Sequence, residues 1–521
     1  MNSCYIHRLS DDILCAIFQV VSEEDQVTYH EYFHQTLNEM HWDDWGDDED
    51  YYDTHSYFEC PQAFPPSTLI SAEGVCQRWK CLLSQMPSIW TVLQISFHEG
   101  AASLERARTF LRRSGTHPLN ITLLWDNLDW VDPPELKDSH RMAGEPPGPS
   151  FDSIMAGIDL VLLLQELYAH VHRWREFTLR VTSVTHMYQA LALMSRPSSL
   201  PVHMLEKLHL QLVHNTHAAH YIHESVLFPG SAPPIRDLLL FGIHSAWLSS
   251  SIPPSHLVNL RVYYYDAMND DDPGLIVFSQ LEDGFPNLQS LSLELDIIPV
   301  YHVEPMCPIS LPQLRSLAIK SRGMEQWVVD FLCNASMPNL RILTLDGVGS
   351  KHTDLTDIIR ELVRLTDPDT RRNPSIHPLK LHELHLLNST YDANVKLVRR
   401  LYRQLAAVKV LTLGPGAGDK NTALAKGLLP APDGLGDFPL PGLRALIIFD
   451  APERLVRRVI QKRALVAGPL EELYYYTEDE VESDDWQHQV EKYHLVDDVK
   501  SFRHSDIVGR QWGKLDSASL P

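Results

Sequence analysis

The chain has 521 residues, room for about three ordinary domains or one long repeat array. Hydrophobic residues make up 44% and charged residues 21%, a soluble-protein balance that excludes disorder of the whole chain. Acidic residues outnumber basic ones by 68 to 44, a net charge of -24, which disfavours binding to phosphate backbones or anionic membranes.

The N-terminal stretch, Met1 to Leu14, does not read as a secretory signal, because acids stand where an apolar core is needed. Seven cysteines with no CxxC pair suit a reducing compartment. The aliphatic stretch Leu160 to Leu164 is too short to span a bilayer. These features predict an intracellular protein of cytoplasm and/or nucleus, without membrane or nucleic-acid partners.

Leu9 to Phe18 reads as a helix: Ser10 can cap it, and Asp11 and Asp12 suit its positive end. Ile13, Leu14, Ile17 and Phe18 form an apolar stripe at helical spacing. No Lys or Arg occurs between Arg8 and Arg78, and the gap contains the acidic run Asp43 to Asp50. Like charges repel, so residues 23–66 read mainly as an insertion, with a helix near Glu31 to Met40. Leu69-Ile70, Val75-Cys76-Gln77-Arg78-Trp79-Lys80 and Met86-Pro87-Ser88-Ile89-Trp90 follow. Next come a strand after Trp90, a helix ending at Leu111 to Gly115, and the strand Leu119/Ile121/Leu123. Asp132 to Ser150, rich in Pro and Gly, reads as a long loop.

From about residue 205 the pattern apolar-x-x-apolar-x-apolar recurs. Its members are Leu205/Leu208/Leu210, Ile235/Leu238/Leu240, Leu257/Leu260/Val262, Leu288/Leu291/Leu293, Leu314/Leu317/Ile319, Leu340/Leu343/Leu345, Leu381/Leu384/Leu386, Val408/Leu411/Leu413, Leu443/Leu446/Ile448 and Leu470/Leu473/Tyr475. Trp174/Phe177/Leu179 is a weaker member upstream. The last two apolar residues alternate and so share one face of a short strand. The first packs beneath the strand from its entering turn. Helical patterns lie between strands: Asp392 to Leu405 puts Val398, Leu401 and Leu405 on one face, and Thr353 to Leu365 and Glu453 to Leu465 behave alike. A strand–turn–helix unit cannot bury its apolar face alone, and stacked copies can. The array resembles a leucine-rich-repeat solenoid: an α/β fold with a curved parallel sheet and outer helices, over residues 93–476. The acidic stretch Glu478 to Asp485 opens a C-terminal tail, 477–521.

The N-terminal segment, residues 1–92, resembles the F-box, a small helical module that docks on the Skp-type adaptor of cullin–RING ubiquitin ligases. The family pattern is Leu-Pro-x-Glu-(Ile/Leu)-Leu-x-x-Ile-Phe, then Val-Cys-x-x-Trp, and Leu9, Asp12, Ile13, Leu14, Ile17, Phe18, Val75, Cys76 and Trp79 fall on it. Ser10 stands where the family has Pro, and the insertion separates the two helical segments more than is usual. Loop closure grows only slowly with length, so such an insertion is tolerable. Together with the repeats, the chain is similar to the F-box proteins of mushroom-type fungi. The resemblance implies a substrate-recognition subunit of an SCF-type ubiquitin ligase, not itself an enzyme and needing no cofactor. Leu9, Ile13, Leu14, Ile17, Phe18, Val75, Cys76 and Trp79 would contact the adaptor, and the repeats would hold an unknown target protein. The alternative is a leucine-rich-repeat interaction scaffold unconnected with ubiquitin, whose N-terminal helices only cap the array.

Strand alternation places the target site on the outward sheet face, at Tyr263, Tyr265, Phe449, Tyr474 and Tyr476; a tail folded back over them would make them core instead. Other motifs are weaker. Gly414 to Asn421 has the outline of a phosphate-binding loop, but Asp419 and Asn421 replace its second Gly and its hydroxyl. His214, His217, His220 and His223 drift round a helix and cannot all converge on one metal, so no metal site is expected. Arg457, Arg458, Lys462 and Arg463 read as a solvated helix face.

Overall fold

The structure is a computed structural model that describes residues 9–22, 68–100, 102–127, 151–197, 200–213, 226–243, 252–266, 284–297, 308–321, 326–347, 355–366, 380–387, 395–414, 422–430, 438–449, 451–476 and 496–501. The acidic run of the insertion, its expected helix, the 132–150 loop, the four histidines, residues 415–421 and the stretch 478–485 lie outside the described residues. Two compact units divide between Leu257 and Val258.

The first unit holds helices α1 (11–22), α2 (Thr68–Glu73), α3 (Gln77–Ser84), α4 (Ala102–Arg113), α5 (Phe151–Tyr168) and α6 (Val184–Met194). Its strands are β1 (Val92–Ser96), β2 (Leu119–Trp125), β3 (Trp174–Val181), β4 (Lys207–Leu212) and β5 (Asp237–Phe241). They pair in chain order, each parallel to the next. Leu93, Ile121, Phe177, Leu208 and Leu238 stand in one cross-strand row, and all are buried.

The second unit has strands β6 (Asn259–Asp266), β7 (Ser290–Ile297), β8 (Ile309–Ser310), β9 (Ser316–Ser321), β10 (Ala335–Ser336), β11 (Ile342–Gly347), β12 (Glu383–Leu387), β13 (Val410–Leu413), β14 (Ala445–Phe449), β15 (Leu470–Tyr476) and β16 (Val496–Ser501). Apart from β8 and β10, which pair with each other, they form a parallel ladder in chain order. Helices α7 (Gln326–Asn334), α8 (Thr356–Thr366), α9 (Val395–Gln404), α10 (Thr422–Gly427) and α11 (Glu453–Val466) fall between strands. Each packs on the next.

The repeat positions whose side chains are described are all buried. Leu260, Leu291, Leu317, Leu343, Leu384, Leu411, Leu446 and Leu473 make a continuous cross-strand row. Every one is at most 1% exposed. Beneath them lie the first residues of each motif, including Leu288, Leu314, Leu340, Leu381 and Val408, also buried. Each such side chain contributes about 1.5–3 kcal/mol on burial, which a single repeat could not collect. The ladder also continues past residue 476, since β16, within the expected tail, pairs parallel with β15.

Trp90, Leu93 and Ile95 carry the same spacing and are all buried, so the repeat begins at the end of the helical module. Trp90 and Trp174 act alike there. Each indole N–H donates to a carbonyl seven residues back, Leu83 O at 2.8 Å and Leu167 O at 3.1 Å. Both carbonyls sit in last helical turns, where each also accepts a backbone N–H, from Met86 at 3.3 Å and from His170 at 2.9 Å.

Arg463 is a correction to the expected solvated face. It is buried and donates to Leu440 O, Pro441 O and Leu443 O at 2.8, 3.2 and 2.5 Å. It holds the turn before β14, and burial pulls its guanidinium down to about 10.

Candidate functional site

Helix α1 begins as its residues dictate. Ser10 Oγ accepts from the Ile13 N–H at 3.4 Å, and Asp11 sits in the positively polarised first turn. Arg78 on α3 reaches across to it, donating to Asp11 Oδ1 at 2.5 Å and to Leu9 O at 2.6 Å. Phe18 meets Trp79 edge to face, with centroids 5.1 Å apart. The two motif segments therefore pack together although residues 23–67 separate them.

This packing splits the expected adaptor residues. Leu14 and Phe18 are 0% and 2% exposed, as deeply buried as Leu69 and Leu83, and Phe18 packs on Trp79. They cannot be surface contacts, which corrects their assignment; an apolar stripe wide enough for two faces supplies both core and surface. Ile13 and Ile17 are 49% and 40% exposed, and Val20, one turn on, is 52% exposed. These three recur at i, i+4 and i+7 on one line of α1. Ile70 and Val75 add exposed apolar surface on α2 and the turn before α3. Leu9, Cys76 and Trp79 are half-buried. Val20 and Ile70 are surface residues that the family pattern did not single out, although the spacing from Ile13 and Ile17 points to Val20.

The module is fastened to the first repeat. Arg113 on α4 pairs with Glu73 at 2.6 Å and lies over the Trp90 ring, 4.4 Å from its centre. Trp90 packs on Phe110 at 5.1 Å.

The outward sheet face of the second unit differs from expectation. Phe449 is 4% exposed and packs with Ile447 and Tyr474, so it is core and not a docking aromatic. Tyr474 is half-buried, its hydroxyl donating to Glu472 Oε2 at 2.9 Å, and Tyr263 is half-buried. The side chains of Tyr265 and Tyr476 lie outside the described ones. Thr344, His385 and Thr412, in one cross-strand row, are buried as well. His385 Nδ1 lies 2.8 Å from Thr412 Oγ1. Side chains on both faces of the sheet are therefore buried at these positions.

A charged row crosses the same face. Tyr263, Glu294, Lys320 and Asp346 are register neighbours on β6, β7, β9 and β11. Lys320 Nζ pairs with Glu294 Oε1 at 2.9 Å. Burial opposes the ammonium charge, but Glu294 and Asp346 outweigh it and hold Lys320 above its ordinary value. One ammonium between two carboxylates ties three strands together electrostatically, pairing directly with Glu294.

Gly414 has a packing reason. A Cβ there would stand 2.7 Å from Leu387 Cδ2 and 2.9 Å from Leu387 Cα. Among the described residues no group of three or more His, Cys, Asp or Glu is placed to hold a metal ion. No described helix is long and apolar enough to cross a membrane.

Comparison with protein-family models and with curated proteins returns no match for the chain.

Proposed function

We propose that the chain is the target-recognition subunit of an SCF-type cullin–RING ubiquitin ligase. In this reading residues 9–22 and 68–90 are an F-box that docks on a Skp-type adaptor. The two parallel ladders are leucine-rich-repeat-like solenoid segments that hold a target protein. The chain does no chemistry itself and needs no cofactor; it works inside the cell, where the adaptor resides.

The observation that carries the reading is the exposed apolar line Ile13–Ile17–Val20 on a helix whose adjacent line, Leu14 and Phe18, is already buried. A surface helix with no partner would place polar residues there. The apolar line costs solubility unless a partner covers it. The test is co-purification of the full chain with a Skp-type adaptor, repeated with Ile13, Ile17 and Val75 changed to Ala. Capture by the wild type and its loss in the variant support the reading; no capture by the wild type rejects it.

A second reading is favoured by the contacts of Arg113 with Glu73 and Trp90. These fasten the helices to the first repeat, as a cap on a repeat scaffold requires. A well-folded protein that never captures the adaptor would decide for the scaffold.

A further inference from the structure

At the N-terminal edge of the second unit's sheet, the residue just before each ladder strand from β9 to β14, and Glu471 at the start of β15, hydrogen-bonds through its backbone to its counterpart in the preceding repeat. Arg315 N–H donates to Gln289 O, Arg341 to Arg315, His382 to Arg341, Lys409 to His382, Arg444 to Lys409 and Glu471 to Arg444, all at 2.7–2.8 Å. Neighbouring strands lie about 4.8 Å apart, so Arg315 to Arg444 is a row of roughly 19 Å along the ladder. Five successive members are basic or histidine. Lys and Arg together number only 44 of 521 residues, so four of five at one structural position is not what composition supplies. In the first unit the same position reads Arg175, Glu206, Arg236, with the signs mixed.

The row carries little internal compensation. Arg341, Lys409 and Arg444 are exposed, and Arg315 and His382 half-buried. Among the described residues the Arg315, Arg341 and Lys409 side chains make no ion pair, and Arg444 meets Glu471 at 3.3 Å, where the row ends. His382 registers the field: burial, then Lys409 and Arg341, hold its imidazole below its usual value. Like charges stacked at strand spacing repel one another, and in a chain of net charge -24 such a ridge is a local inversion of sign.

We propose that the ridge Arg315–Arg341–His382–Lys409–Arg444 is a docking site for an acidic peptide segment of a partner protein. An extended segment of about six residues matches its length. The overall negative charge repels a nucleic acid, whose many phosphates extend beyond one ridge, whereas a short acidic segment meets only the ridge. The inference gives a chemical class to the target and rests only on the repeat half of the reading above. The assay contains no adaptor, so its failure and that of the F-box reading are distinguishable.

The experiment measures fluorescence anisotropy of labelled hexaglutamate with the purified full chain at low and high ionic strength. Saturable binding that weakens with salt is expected, because the contacts are exposed and screened. Arg341→Glu with Lys409→Glu should weaken binding at least about tenfold. Arg454→Glu with Arg458→Glu, an equal charge change at exposed positions of α11, should leave it nearly unchanged. No binding by the wild type overturns the proposal, as does an equal loss in both variants. An oligonucleotide bound as tightly as hexaglutamate overturns the assignment to a peptide.

Discussion

The two halves of the α1 stripe should respond in opposite ways to truncation. Ile13, Ile17 and Val75 are 49%, 40% and 55% exposed. Full burial of such a side chain is worth about 1.5–3 kcal/mol, so covering what remains open contributes about 1 kcal/mol each. Changing all three to Ala should therefore cost roughly 3 kcal/mol of adaptor affinity, about two orders of magnitude in Kd. Stability should hold, since Ala is the better helix former at the two α1 positions. Leu14 is 0% exposed, and Leu14→Ala should cost about 2–5 kcal/mol of stability through a cavity in the module's core. Calorimetric titration with a Skp-type adaptor reads the first effect, and thermal unfolding the second. Undiminished affinity in the triple variant, or an unchanged Tm for Leu14→Ala, would refute the division of the stripe.

Three further outcomes are expected. Lys320→Met removes the ammonium that β9 places between Glu294 and Asp346, and chemical denaturation should report a loss of about 3–5 kcal/mol; changing Glu294 to Gln and Asp346 to Asn in the same chain should recover part of it. Gly414→Ala forces a methyl against Leu387 and should cost about 1–3 kcal/mol by the same assay, with no nucleotide effect. The His382 ring, followed by NMR, should titrate below the ordinary histidine value, and Arg341→Gln with Lys409→Gln should raise its midpoint. Its folded pKa is depressed, so the unfolded chain binds the proton more readily. The stability His382 contributes is present above the unfolded pKa and falls as pH drops through the window between the two values.

The repeat was legible because its requirement is local. A strand that buries one face must place apolar residues two apart, and an apolar residue three places earlier must close the turn. Leu288/Leu291/Leu293 and its counterparts therefore marked each strand and each row of the core. The cap at Ser10 and the amphipathic helix around Val398 and Leu401 were legible for the same reason. Trp90/Leu93/Ile95 obeys the rule as well, and its tryptophan stands out only once Trp174 is seen to make the same indole bond.

What periodicity leaves open is which apolar surface is covered, and by what. Leu14 and Ile17 are equally apolar on one helix, and only the approach of Trp79 from a segment 61 residues beyond Phe18 decides that Phe18 and Leu14 go inward. Phe449 alternates as a surface residue would, yet its neighbours Ile447 and Tyr474 enclose it. Arg463 reads as a surface cation until the turn carbonyls of residues 440–443 converge on it. The basic ridge is the extreme case. Its five members are scattered from 315 to 444 with nothing in the local pattern to join them, and parallel register alone brings each beside the next, since a shift of one strand by one residue would disperse the charge.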